Sequence, residues 1–84
     1  MKNKVLVNLL IPEIDQEYDV FIPINIRIGT VIELLNKSLV ELTNGIYQPR
    51  NNRNLYNLEN SEVYQINDLV RQTNIRNGVS IVFM

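Results

Sequence analysis

The chain has 84 residues, of which 45% are hydrophobic and 20% charged, and its formal net charge is −1. This is the composition of one small folded domain rather than of a disordered segment, and it offers no basic excess for nucleic acid or an anionic membrane. Cysteine, histidine and tryptophan are absent, which excludes disulfides and thiolate metal sites and removes the residues behind most zinc centres, nucleophilic triads and proton shuttles near neutral pH.

Met1-Lys2-Asn3-Lys4 before apolar Val5 to Ile11 has the outline of a signal peptide. The apolar run is short, Asn8 breaks it, and no small-residue cleavage site follows. No stretch approaches the roughly 20 apolar residues of a membrane helix, so a cytoplasmic protein without membrane insertion is expected. Lys4 to Ile11 (KVLVNLLI) instead reads as a strand rich in branched residues. Val5, Val7, Leu9 and Ile11 form one face of it, and Leu6, Asn8 and Leu10 the other. PEIDQE (Pro12 to Glu17) is a polar connection. Tyr18 to Ile24 (YDVFIPI) is a second strand, with Tyr18, Val20 and Ile22 on one face and Asp19 and Phe21 on the other. The short link predicts an antiparallel hairpin. Pro23 donates no backbone hydrogen bond, so it marks a strand end or an edge.

Thr30 to about Thr43 is the one clear helix. TVIE (Thr30 to Glu33) has the spacing of a capping box. Val31, Leu34, Leu35, Ser38, Leu39 and Leu42 fall on one broad face, opposite Glu33, Asn36, Lys37 and Val40. Asn44-Gly45 ends the helix as a left-handed cap. QPRNNRN (Gln48 to Asn54) has no periodicity and reads as a loop. Leu55 to Leu58 and Val63-Tyr64 are candidate short strands around an Asn60-Ser61 turn. NDLVRQTNI predicts a tight helical turn, with Asp68 capping it at Leu69. Asn77-Gly78 turns the chain into a last strand, where Val79, Ile81 and Phe83 alternate with Ser80, Val82 and Met84. One amphipathic helix covering one sheet is a two-layer α+β domain spanning residues 1–84.

That order of elements, at this length, resembles the β-grasp or ubiquitin-like plan, a mixed sheet of four to five strands packed on one α-helix. YDVFIP, IGTVIELLNKSL and INDLVRQTNIRNGVSIVFM are similar to the YukD/EsaB group, the small ubiquitin-like accessory proteins of Gram-positive type VII secretion systems. The GIYQPRNNRN stretch is longer than in that group. The resemblance implies a non-catalytic protein that docks onto components of a membrane secretion apparatus. Ubiquitin and the sulfur carriers act through a free Gly-Gly tail. Here Phe83 is expected in the core and Met84 is bulky, so conjugation is not expected unless the natural chain continues past Met84. The alternative is a ubiquitin-like or sulfur-carrier protein of another pathway with a missing or hidden tail.

In the β-grasp order the first strand lies between the second and the last. Leu6, Leu10, Phe21, Val82 and Met84 then share the sheet face away from the helix, a candidate apolar contact surface. A covering loop, or a register shifted by one residue, would remove it. If it is an interface, a homodimer and a partner complex are equally open. Glu13, Asp15 and Glu17 could approach a hard cation, but no glycine or further ligand supports this and a solvated turn is expected; no cofactor or metal is implied. YQPRNNRNLY combines Tyr47, Tyr56, Arg50 and Arg53. It could stack single-stranded RNA, dock a partner, or pack its tyrosines at the core edge; nucleic acid is not the expected partner. Glu33 and Lys37 are an exposed helical pair. No acid–base pair converges on a pocket motif, so no enzyme is expected.

Overall fold

The computed structural model describes residues 3–84, so the Met1-Lys2 start of the signal-like stretch lies outside the described residues. Strand β1 (Lys4–Ile11) runs through a 3-10 turn (Pro12–Ile14) into β2 (Gln16–Pro23). Helix α1 (Ile28–Leu42) follows, then β3 (Leu55–Asn57), a second 3-10 turn (Val70–Gln72) and β4 (Ser80–Phe83). The sheet order is β2-β1-β4-β3. The β1–β2 pair is antiparallel and in unbroken register from Lys4 opposite Pro23 to Ile11 opposite Gln16. β1 and β4 are parallel, and β3 and β4 antiparallel. Among the described residues the sheet is therefore mixed and four-stranded, in keeping with the α+β expectation.

The period-two patterning places the core. Val7, Leu9, Ile11 and Ile22 from the hairpin and Ile81 and Phe83 from β4 are buried against α1. Each fully buried aliphatic side chain contributes about 1.5–3 kcal/mol, so a change such as Leu9→Ala removes a large share of a small domain's stability. The register expected for the hairpin holds, with Phe21 outside and Ile22 inside.

The helix departs from expectation at its start and in its rotation. It begins at Ile28, and neither Thr30 nor Glu33 caps it: the N-cap is Arg27, with no side-chain cap bond. Its first amides are satisfied from across the chain. Ile28 N–H bonds the Asp68 carbonyl and Gly29 N–H the Ile66 carbonyl, both at 2.9 Å. A Cβ on Gly29 would stand 3.3 Å from that Ile66 oxygen, so glycine admits the close approach. The buried stripe is Ile28, Val31, Ile32, Leu35 and Leu39; Leu34 and Leu42, expected on it, are exposed at 47% and 54%. The far end behaves as read. Asn44 and Gly45 take left-handed φ of 53° and 82°, and Gly45 N–H bonds the Val40 carbonyl at 2.8 Å.

Two smaller expectations also change. Val63 makes only an isolated bridge to Tyr56 rather than a strand with Tyr64. Asp68 does not cap the second 3-10 turn through its side chain; the Leu69 N–H donates instead to Gln72 Oε1 at 2.8 Å.

Candidate functional site

Strand pairing arranges the outer sheet face in rows. Leu6 stands opposite Phe21, Asn8 opposite Asp19, and Leu10 opposite Glu17. Across the other edge of β1, Asn8 meets Ser80 and Leu10 meets Val82, and Val82 in turn meets Tyr56. Leu6, Leu10, Phe21, Val82 and Met84 do lie on the face away from the helix, but they do not form one continuous exposed patch. Val82 is only 9% exposed; flanked by Leu10 and Tyr56, it is a floor rather than a surface. A polar row of Asp19, Asn8 and Ser80 crosses the sheet and splits the apolar positions, with Asn8 Nδ2 and Ser80 Oγ both reaching across at 3.5 Å.

One half holds Leu6 and Phe21, which are 39% and 53% exposed. Beside them an open depression of about 670 Å³ is lined by Leu6, Asn8, Phe21, Asn77 and the carboxylate residues Glu17 and Asp19. Asn77 fixes this corner, because its Oδ1 accepts from the Leu6 N–H at 2.8 Å. The other half holds Leu10 and Met84 together with Tyr56, Leu58 and Val63. Met84, Leu58 and Val63 are 52%, 49% and 43% exposed. The sequence pattern puts Tyr56 and Leu58 in a strand without assigning them to this face. The Leu55–Tyr56–Asn57 alternation carried the signal, since Leu55 and Asn57 are buried and Tyr56 is not.

The remaining candidate chemistry is drawn into the fold. Tyr47 is wholly buried, its hydroxyl donating to Asn36 Oδ1. The Arg53 side chain is 4% exposed, and its guanidinium lies 4.6 Å from the Tyr47 ring centroid and 5.8 Å from that of Phe83. Arg53 Nη2 donates to Glu13 Oε2, and Arg50 reaches Glu13 Oε1 at 3.0 Å. The Arg53 hydrogen bond outweighs desolvation and, helped by the smaller pull of the Arg53 and Arg50 charges, holds the Glu13 carboxyl below its ordinary value. Burial pushes the Tyr47 phenol up. Of the four groups that could have stacked RNA bases, Tyr47 and Arg53 therefore stack on one another, Tyr56 lies on the outer sheet face, and Arg50, though exposed, joins Arg53 on Glu13. Among the described residues no group of three His, Cys, Asp or Glu side chains converges to hold a metal ion.

No family model and no curated protein sequence matches this chain. Solved structures do match over nearly its whole length. The ubiquitin-like domain of the Mycobacterium tuberculosis type VII secretion system protein EccD1 aligns with TM-score 0.73 and 11% identity, covering 95% of this chain and 96% of that one. The fold is the ubiquitin-like β-grasp. A chain of the MycP5-free ESX-5 inner membrane complex aligns with TM-score 0.71 and 12% identity over 98% of this chain, which spans 21% of that neighbour. A chain of a toluene 4-monooxygenase complex bound to 4-bromobenzoate aligns at TM-score 0.69 and 14% identity, covering 96% of this chain and 99% of its own. The β-grasp is thus shared by proteins in unrelated settings, and function has to be argued from this domain's own surface.

Proposed function

We propose that this chain is a non-catalytic ubiquitin-like protein-binding module, an accessory component of a type VII (WXG100/ESX-like) secretion system that acts from the cytoplasmic side and is not conjugated to targets. Phe21 carries the proposal. It is a large aromatic side chain left 53% exposed on a regular strand, beside Leu6, in a domain whose core is filled without it. An exposed aromatic with an aliphatic neighbour has the composition of a contact hot spot.

Support for the secretion setting comes from the YDVFIP and INDLVRQTNIRNGVSIVFM stretches and from neighbours that are ubiquitin-like domains of type VII proteins. Among the described residues no helix is long and apolar enough to cross a membrane, so the module would be recruited by a membrane partner rather than anchored by a helix described here. Met84 exchanges backbone hydrogen bonds with Asn54 in both directions, at 2.8 and 3.2 Å, and the natural C-terminus decides whether a conjugating tail exists. Affinity capture of the tagged protein from its source cell, with mass spectrometry of its natural C-terminus, tests the proposal. Recovery of membrane secretion components by the native protein, and their loss with Phe21→Asp, supports it. Recovery of an adenylating enzyme, or a natural C-terminus extended to Gly-Gly, favours a carrier instead.

A further inference from the structure

β2 is the outermost strand of the sheet, and its free side has an unusual set of groups. The Ile24 N–H bonds the Asn3 carbonyl at 3.0 Å, and the β1–β2 register is unbroken from there to Ile11. By the alternation of an antiparallel ladder, the even-numbered residues of β2 pair with β1, and Glu17, Asp19 and Phe21 turn their N–H and C=O groups away from the sheet. Pro23 falls in the same set, so its missing N–H costs the internal ladder nothing and ends the free strip. Among the described residues no other strand pairs with this side.

Natural edge strands are usually short, bulged, or guarded by proline and by charged side chains, lysine above all. β2 is eight residues long and carries no bulge in its register; its proline stands only at the strand's end, and its guarding charges are all acidic, which turns away acidic edges and leaves the strand open to a basic one. Glu17, Asp19 and Phe21 also present their side chains on the outer face, around the depression described above. Neither Glu17 nor Asp19 forms an ion pair among the described residues, whose only salt bridges join Glu13 to Arg50 and Arg53. On the inner side Tyr18 and Val20 are only half-buried against the core.

We propose that the free edge of β2 is a strand-addition site for an extended segment of a partner protein that alternates basic with apolar residues. The segment's backbone would pair with Glu17, Asp19 and Phe21 over about five residues. Its basic side chains would fall over the two carboxylates on the outer face, and its apolar ones beside Tyr18 and Val20. A second copy of this chain fits less well. Two β2 edges side by side would align four carboxylates along one seam with no cation between them, and like charges facing each other across strands repel. The site rests on the chain being a binding module, but not on which apparatus it serves.

The test uses a capped peptide alternating lysine with valine, about seven residues long, with a glutamate–valine peptide as control. Backbone amide shifts and hydrogen exchange of the intact protein are followed on titration. The lysine peptide should slow exchange at Glu17, Asp19 and Phe21, and its affinity should fall as salt rises. Glu17→Lys with Asp19→Lys keeps the backbone and should weaken binding about tenfold or more. Asp19→Pro removes one edge donor without touching the β1 ladder and should do the same; if it fails to fold, the lysine pair carries the test. Equal binding of the glutamate peptide, no binding of either, protection at Tyr56 and Val82 instead, or edge protection in the free protein that grows with its concentration would each overturn the proposal. A pull-down without secretion components would remove the apparatus and leave this edge standing; a failed titration would do the reverse.

Discussion

Arg53 lies over Tyr47, its guanidinium carbon 4.6 Å from the ring centroid, with its side chain only 4% exposed. The same guanidinium donates to Glu13 in the turn forty positions earlier and to the Gln48 carbonyl at 3.0 Å. The long loop after α1 is thereby tied to the first hairpin. Arg53 Nε is buried without a partner, so the arrangement carries an uncompensated polar cost that stacking on Tyr47 and Phe83 offsets.

Glu13→Gln should therefore destabilise the fold, because it leaves a buried guanidinium without its counter-charge. The pH dependence has a definite sign. The native carboxyl is held below its ordinary value of 4.5, so its contribution is present above that pH and is lost as pH falls below it through the lowered native value. Thermal melts of the native protein should show Tm falling with acidification in that range. In Glu13→Gln the Tm should be lower at pH 7 and this part of the acid dependence should flatten. An unchanged acid limb would show that the ion pair contributes nothing to stability.

Tyr47→Phe addresses the other side of the same contact. Burial holds the phenol above its ordinary value of 10.0, so the unfolded chain gives up its proton first as pH rises. Stability from this group is full below that pH and declines above it. The phenylalanine variant should lose this alkaline decline. It should also lose about 1 kcal/mol at pH 7, since Asn36 Oδ1 forfeits its hydroxyl donor. Urea melts at pH 7 and above pH 10 would check both.

The rotation of α1 gives a paired test. Leu35 is 8% exposed and Leu34 is 47% exposed, though the two are adjacent and chemically identical. Leu35→Ala should cost about 3 kcal/mol, whereas Leu34→Glu should stay within about 0.5 kcal/mol of the native protein. Melts in which both variants cost several kcal/mol would restore the face drawn from periodicity alone, which holds both leucines.

Some elements are marked in the sequence and others are not. The hairpin was legible because its period of two leaves only one register with Val7, Leu9, Ile11 and Ile22 inside. Asn44-Gly45 and Asn77-Gly78 were legible because a left-handed turn has few chemical solutions. The helix start was not. Thr30 and Glu33 have capping-box spacing, yet the carbonyls of Ile66 and Asp68 satisfy the first amides from nearly forty residues away, and nothing local records that. The outer face was legible in position but not in continuity. Asn8, Asp19 and Ser80 lie in the sequence without any mark that pairing will draw them into one row.

Asn57 tests a network that also escaped the sequence. Its side chain is buried. Oδ1 accepts from the Glu59 and Asn60 amides at 2.8 and 3.1 Å, and Nδ2 donates to the Tyr64 hydroxyl at 3.0 Å, which donates onward to Asn74 Oδ1 at 2.7 Å. Asn57→Ala strips the turn after β3 of its acceptor and leaves buried partners unpaired, at about 2–3 kcal/mol. A drop in the urea midpoint without a change in slope would agree; a native-like midpoint would show that water replaces the side chain.

Phe21→Asp is the variant on which the docking face stands or falls. Phe21 is 53% exposed and opposite Leu6, which is itself 39% exposed, so its removal takes little from the core and should cost about 1 kcal/mol or less. The new carboxylate would join Glu17 and Asp19 beside the same depression and replace the one aromatic there. Partner capture by this end of the sheet should therefore collapse while the melt stays cooperative. Met84→Asp places an equivalent charge at the opposite end, beyond the polar row of Asn8 and Ser80. Because that row separates the two apolar halves, the two variants should not behave alike. Loss of partners with Phe21→Asp and retention with Met84→Asp assigns binding to the β2 end. The opposite pattern moves it to the half built on Tyr56 and Leu58, and retention by both removes the outer face from consideration.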